Sequence, residues 1–305
     1  MPPDPRFKTG ARPTPRHKLA SAKPFFPLRR GGAQAGWVPA KMSTWGNTQY
    51  GDCVTAEEAF AKDAWSGNYL LSDQVVIEWA QQNGFLNGAD LTDVMSAMAA
   101  KGFPYNTFTL GDGPYQSVDY STESVLQAAI ELGPVKIGID SQALPSTAGN
   151  QAGWYATGGS PGQYNSEDHC VSLAGYGTAQ WLYQQLNVPL PDALQSTQAG
   201  YLLFTWGTLG FVDHAWIMST CGEAWIRNPT TTGGPQPAPP PPSPPGPPPP
   251  PSPPMSGWSG AITYVSGMIQ SIEPAAGGRP VLTGQYTVEG MISGTISCPM
   301  GPGRR

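Results

Sequence analysis

The sequence predicts an α+β fold in which a helical layer packs on an antiparallel sheet. Between residues 53 and 130 the apolar residues recur at helical spacing. After Gly133-Pro134 they alternate with a period of two, as strands do. Helices first and strands second is the order of an α+β domain, not of an alternating parallel one. Residues 1–44 and 233–256 are rich in Pro and lack either period, which marks them as segments flanking the folded body.

The elements follow in order. Cys53 to Trp65 reads as a helix with Ala56, Ala59, Phe60 and Ala64 on its apolar stripe. Ser72-Asp73 caps a second helix through Val75, Val76, Trp79 and Ala80, which Gly84 stops. Leu91-Thr92-Asp93 begins a third, through Val94, Met95 and Met98, ending at Gly102. Ser121-Thr122-Glu123-Ser124 fits a capping box for a fourth, through Val125, Leu126, Ala129 and Ile130. Val135–Asp140, His169–Leu173 and Tyr201–Thr205 read as strands, and the apolar, aromatic run Ala215–Ile226 ends the body.

Four segments result: a basic extended arm (1–44), the folded domain (45–232), a polyproline II linker (233–256) and a small β unit (257–305). The linker assignment rests on 15 prolines among residues 235–254, because proline fixes φ and removes the amide donor. At about 3.1 Å per residue those positions span about 60 Å. The last unit shows alternating pieces at 261–268, 281–288 and 290–297. A unit this small rarely builds a stable core alone, so an assembly partner or homo-oligomer through residues 257–300 and 1–30 is expected.

Net charge is −5, but it is unevenly spread. Residues 1–30 hold eight of the 16 Lys and Arg against one acid, Asp4, so this stretch is basic and the remainder strongly acidic. The arm is therefore drawn to an acidic surface, nucleic acid, a neighbouring subunit or its own acidic body. Lys23-Pro24-Phe25-Phe26-Pro27-Leu28 is its apolar patch and should dock.

The chain has no phosphate-binding loop, no GxGxxG, and no basic–aromatic interleaving outside the arm, which argues against a nucleic-acid platform. Four cysteines without a CxxC, and three histidines, disfavour structural zinc; no cofactor or metal is expected. No apolar run reaches membrane-spanning length, and residues 1–30 lack the apolar core of a secretory signal, so a cytoplasmic or particle-associated chain is expected.

Two short segments carry chemistry. The first is Trp45-Gly46-Asn47-Thr48-Gln49-Tyr50-Gly51-Asp52-Cys53, followed at once by the first helix. A thiol attacks as its thiolate, and a helix N-terminus favours that anion. Backbone N–H groups there also serve an oxyanion. The second is Asp168-His169-Cys170-Val171-Ser172-Leu173-Ala174-Gly175-Tyr176-Gly177, a strand that places a general base far from the nucleophile in sequence. Cys170 should face away from His169, into the core.

These segments resemble those of the papain-like cysteine peptidases across about residues 45–226. Gly51-Asp52-Cys53 matches the nucleophile, and Asp168 to Gly177 matches the base motif. Gly133-Pro134-Val135 resembles the strand before it, and Trp206-Gly207 resembles the family's Asn-Ser-Trp-Gly. The resemblance implies Cys53 as nucleophile, His169 as base, and Asn47, six residues before Cys53, or Gln49, four before, as oxyanion donor. The departures are Val54 where a Trp usually follows the nucleophile, an insertion at Ala179–Gln198, and no Asn before Trp206. Thr205 stands in that place and takes the orienting role, with Asp213 as a second candidate. His214, in Asp213-His214-Ala215-Trp216, is the weaker base candidate because no Gly-Tyr-Gly follows it.

Two functions are therefore expected. One is a thiol hydrolase cutting peptides or amides. The other is a catalytically degenerate scaffold serving as a structural or assembly component of a virion, particle or surface layer.

Overall fold

The computed structural model describes residues 6–28, 31–67, 70–232, 267–274, 280–288 and 292–299. The polyproline stretch lies outside them. The chain divides into two compact units, Met1–Pro247 and Pro248–Arg305. In the second, the strands Gly267–Pro274, Pro280–Val288 and Ile292–Pro299 form a three-stranded antiparallel sheet. Its first strand begins at the end of the piece expected at 261–268.

In the first unit the helices fall where the sequence puts them. Ser72 accepts from the Val75 N–H at 3.3 Å, and Gly84 ends the helix Asp73–Asn83 in the left-handed region at φ 79°. Asp90 caps Leu91–Ala100 by accepting from the Asp93 N–H at 2.8 Å. The capping box fails at the helix Glu123–Leu132. Thr122 is the N-cap but makes no side-chain cap bond. The Ser121 and Thr122 hydroxyls both donate to Asp119 instead, a carboxylate two and three residues upstream.

The nine-stranded sheet runs Phe103–Tyr105, Phe108–Ser117, Cys221–Thr232, Val135–Ile139, His169–Thr178, Ala199–Thr205, Thr208–Val212, Trp154–Ala156. Ala35–Gly36 pairs with the His169 strand off this path. Its pairs are antiparallel except the last, so the α+β expectation holds. The run 215–226 divides into a helix, His214–Thr220, and the start of the strand Cys221–Thr232. The insertion after Gly177 folds as the helix Ala179–Leu186, capped by Thr178.

The helix Cys53–Ser66 is the axis of the unit. It is buried on every side from Cys53 to Ala64, not along one stripe. Phe60 stacks on Phe204 of the sheet at 4.0 Å between centroids, a contact that fixes the helix over the strand Ala199–Thr205. Glu57, Glu58 and Lys62, which helical periodicity would place outside, are also inside. Their partners come from the sheet. Lys136 lies 2.5 Å from Glu57 and 3.0 Å from Glu58, and Arg227 lies 2.7 Å from Glu57 and 3.0 Å from Glu58. Lys62 reaches Asp112 at 2.5 Å and Glu58 at 3.3 Å. Three acids and three bases thus cancel under the helix, which is the condition for burying charge. Burial alone would raise Glu58, but Arg227, Lys136 and Lys62 hold it below the usual carboxylate range. Asp112 goes the other way, to about 7, because burial outweighs Lys62.

The arm does not stay free or uniformly extended. It contains a short helix, Arg16–Ser21, whose Lys18 meets Asp90 at 3.2 Å and Asp93 at 2.5 Å. Its basic charge is thus met in part by acids of its own body. Of the apolar patch, Phe25 docks on the sheet edge, where its N–H donates to the Ser117 carbonyl at 2.7 Å. Phe26 and Leu28 stay exposed.

Candidate active site

The loop before the Cys53 helix turns at Trp45-Gly46, where Trp45 holds φ 45° and Gly46 φ 97°. A bulky residue at positive φ is strained and persists only where its surroundings hold it. Here the Trp45 indole is fully buried and donates to the Leu71 carbonyl at 2.9 Å. The second Trp-Gly pair repeats the device: Trp206 has φ 44° and Gly207 φ 77°. These two turns aim the loops that carry the site.

Cys53 opens its helix, as expected, and lies near the backbone of Cys170, the residue after His169, whose N–H favours its thiolate. The Cys53 helix packs on the strand that His169 begins. His169 begins its strand opposite Ile139. Its Nε2 is 2.8 Å from Thr205 Oγ1, and its ring stacks on Trp206 at 4.5 Å. Its Nδ1 is buried and has no hydrogen-bond partner among the described residues. Thr205 is thus the hydrogen-bond partner of the His169 ring. Asp213 does not reach His169; its carboxylate caps the helix His214–Thr220 through the Trp216 N–H at 2.8 Å and also accepts from Gly158. His214 is committed elsewhere, with Nε2 2.9 Å from the Tyr120 carbonyl and Nδ1 3.4 Å from Glu123.

Of the two oxyanion-donor candidates, Asn47 is buried and its Nδ2 donates to the Tyr50 carbonyl at 3.1 Å. Gln49 is exposed. Asp52, the N-cap of the Cys53 helix, is buried with no side-chain cap bond, and its two oxygens have no well-formed hydrogen bond. Burial raises it to about 7 against the favourable Asn47 amide. Cys170 points into the core, with Lys136 Nζ 3.8 Å from its sulfur. Lys136 also donates to the Val54 carbonyl at 3.0 Å, which ties the first turn of the Cys53 helix to the buried charges.

The arm, too short for a helical prodomain but long enough to cross the cleft as an extended strand, covers this site. Residues 7–11 of the arm run across it. Phe7 stacks on the outer face of Trp206 at 4.9 Å, so the indole lies between Phe7 and His169. The Lys8 N–H donates to the Asn47 carbonyl at 3.0 Å, and Trp206 Nε1 donates to the Lys8 carbonyl at 3.1 Å. The Gly10 and Ala11 N–H groups both donate to the Asp168 carbonyl, at 2.9 and 3.0 Å. The Ala89 N–H donates to the Gly10 carbonyl at 3.0 Å, in a parallel pairing of Ala11–Arg12 with Ala89–Asp90. No periodicity signals such a segment, because its bonds are made by backbone groups that every residue carries.

The cover changes the chemistry. Cys53 and His169 are each 1% exposed. Burial pushes the Cys53 thiol up to about 12, against the Cys170 and Ala11 N–H groups and Lys136, which favour the thiolate. Burial also lowers His169 to about 3. At neutral pH both groups are uncharged while the arm is in place.

The helix that Cys53 opens thus packs against the strand that begins with His169. Solved structures found to be similar are cysteine proteases. They include the proform of Amb a 11 from ragweed pollen, at 14% identity and TM-score 0.48, covering 70% of this chain and 72% of that one. Bromelain from Ananas comosus, in complex with the inhibitor E64, matches at 14% identity and TM-score 0.42, covering 64% and 98%. Xylellain from Xylella fastidiosa matches at 11% and TM-score 0.48, covering 73% and 96%. No protein-family model and no curated protein matches the chain.

Proposed function

We propose that the first unit is a thiol hydrolase of peptide or amide bonds, held closed by its own arm. The observation that carries the reading is the convergence at Cys53. A thiol at a helix N-terminus lies near the backbone of the residue beside a buried histidine, which is itself held through Nε2 and stacked on Trp206.

With the proton on Nε2, His169 donates to Thr205 and leaves Nδ1 as the base. It takes the Cys53 proton, the thiolate attacks the substrate carbonyl carbon, and the imidazolium then returns the proton to the leaving amine. Water, activated by the same imidazole, hydrolyses the thioester and restores the thiol. The Cys53 N–H is the donor for the oxyanion, and the Asn47 amide joins it by releasing the Tyr50 carbonyl or Asp52. Thr205 is a positioning residue: it fixes the ring and the tautomer. Departure of the arm readmits water, removes the burial that keeps both groups neutral, and lets the helix terminus and the imidazole lower the thiol pKa.

The test is peptide-library hydrolysis read by mass spectrometry on the Phe7→Ala chain, beside Cys53→Ala and His169→Ala in the same background. Cleavage that disappears in both is expected; cleavage that survives Cys53→Ala would overturn the reading.

A second reading, an assembly role for the C-terminal unit, draws on the three-stranded sheet of residues 267–299, whose outer strands have open edges within that sheet. Sedimentation of the full chain should then show concentration-dependent association, and a monomer at every concentration would dismiss it.

A further inference from the structure

Between the loop before Cys53 and the loop before Ala89, three main chains meet with no side chain between them. Gly51 forms one wall and Gly88 the other, and the bridge of Gly51 to Asn87 fixes the walls side by side. Gly10 of the arm passes between them. A Cβ added to Gly10 would overlap the Gly51 carbonyl oxygen. A Cβ on Gly51 would sit 2.8 Å from the Thr9 carbonyl oxygen, and one on Gly88, at φ 96°, would lie 2.5 Å from the Gly10 carbonyl oxygen. Real Cβ atoms do not approach backbone this closely, and backbone has no rotamer by which to retreat.

The arm is not itself poised for cutting. The Gly10 carbonyl is taken by the Ala89 N–H and the Lys8 carbonyl by the Trp206 indole. The Ala11 N–H, which also lies near Cys53, is taken by the Asp168 carbonyl. The segment is therefore a held occupant of the cleft, and it shows what the cleft admits. Every bond that holds Gly10 and Ala11 is made by backbone, so it would hold any extended peptide. Selection comes from shape. The wall at Gly51 excludes a side chain from a peptide that runs as the arm does. Ala11, next along, is 6% exposed and so is confined to a small residue, while Phe7 lies flat on Trp206.

We infer that the cleft beside Cys53 is a glycine-selective slot, and that its substrates are extended peptides carrying glycine between Gly51 and Gly88, a small residue after it and an aromatic residue three positions before it. The inference rests on the hydrolase reading for the word substrate, but not for the slot.

The test uses the full chain carrying Gly10→Leu, with iodoacetamide labelling of Cys53 followed by peptide mass and the fold checked by circular dichroism. Leucine cannot enter the slot, so the arm is expelled and labelling should quicken by about tenfold or more, as the open population rises. The octapeptide Arg-Phe-Lys-Thr-Gly-Ala-Arg-Pro, identical to residues 6–13, should then protect Cys53, and the same peptide with Leu for Gly should not. Should Gly10→Leu fail to fold, Phe7→Ala, which opens the arm without touching the slot, serves for the peptide comparison. Equal protection by the two peptides, protection by neither, or unchanged labelling in a folded Gly10→Leu chain would overturn the proposal. Protection needs no bond cleavage. Glycine-selective protection without hydrolysis would sink the hydrolase reading and leave the slot, and hydrolysis indifferent to glycine would do the reverse.

Discussion

Removing the Phe7 ring should unmask Cys53 by an amount the structure sets. Five hydrogen bonds hold residues 8–11 in the cleft: Lys8 to Asn47, Trp206 to Lys8, Gly10 and Ala11 to Asp168, and Ala89 to Gly10. At a net of about 1 kcal/mol each they supply about 5 kcal/mol. Ordering the same four residues costs about 1–2 kcal/mol each, which nearly cancels them. The closed state therefore leans on what Phe7 adds, which is its stacking on Trp206, about 0.5–1.5 kcal/mol beyond burial, and the burial of a half-exposed ring, about another 1 kcal/mol. Phe7→Ala should then raise the open population, and with it the rate of Cys53 alkylation, by about 10- to 50-fold. The rise should hold at constant overall stability, because Phe7 lies at the surface of the unit. The assay is alkylation followed by peptide mass, with urea unfolding alongside. A labelling rate unchanged within twofold in a folded Phe7→Ala chain would refute the claim that the arm is what closes the site.

Other consequences follow from the buried charges and the ring partner. Lys136→Met leaves Glu57 and Glu58 short of one cation, and should lower unfolding free energy by about 3–5 kcal/mol in urea titration; a loss under about 1 kcal/mol would contradict the charge balance. Asp52 is raised from its ordinary value to about 7, so its neutral form is favoured and the stability it allows is full below about pH 4 and is lost as pH rises through about 7. Asp52→Asn should accordingly match the parent at pH 4 and exceed it by up to about 4 kcal/mol at pH 8; equal pH profiles would dismiss the assignment. Thr205→Val should move the pH dependence of Cys53 alkylation in the opened chain toward that of an ordinary thiol, while Thr205→Ser restores the parent profile. An identical profile in all three proteins would mean Thr205 only fills space.

How much of this was legible beforehand differs by element. The helix from Cys53, the Ser72 and Gly84 boundaries, and the strands from Val135, His169 and Ala199 were readable because local signals set them: caps, αL glycines and alternation. The Ser121 capping box misled because Asp119, just upstream, competes for the same hydroxyls. Glu57, Glu58 and Lys62 were hidden because only the sheet decides whether a charged residue on a helix meets a partner, and Lys136, Arg227 and Asp112 come from three strands far apart in sequence. At the candidate site, the helix start at Cys53 and the strand start at His169 were legible through their local motifs. That Asn47 is buried and Gln49 exposed depends on the turn at Trp45-Gly46, which no local motif announces. Asp213 was a cap in a sequence position that also suited an orienting carboxylate. That the arm could cross the cleft was legible, but its register was not, because backbone bonding has no residue signature; Gly10, Gly51 and Gly88 become meaningful once the three are seen together.

The most direct measurement is epoxide labelling of the Phe7→Ala chain from pH 4 to pH 9, followed by intact mass, beside Phe7→Ala/His169→Ala and Phe7→Ala/Cys53→Ala. An activated thiolate predicts a single adduct, lost with Cys53→Ala, at a rate that persists below pH 6 and collapses in the His169→Ala chain. Slow labelling that climbs toward the pKa of an ordinary thiol, about 8.5, and ignores His169 would contradict the account.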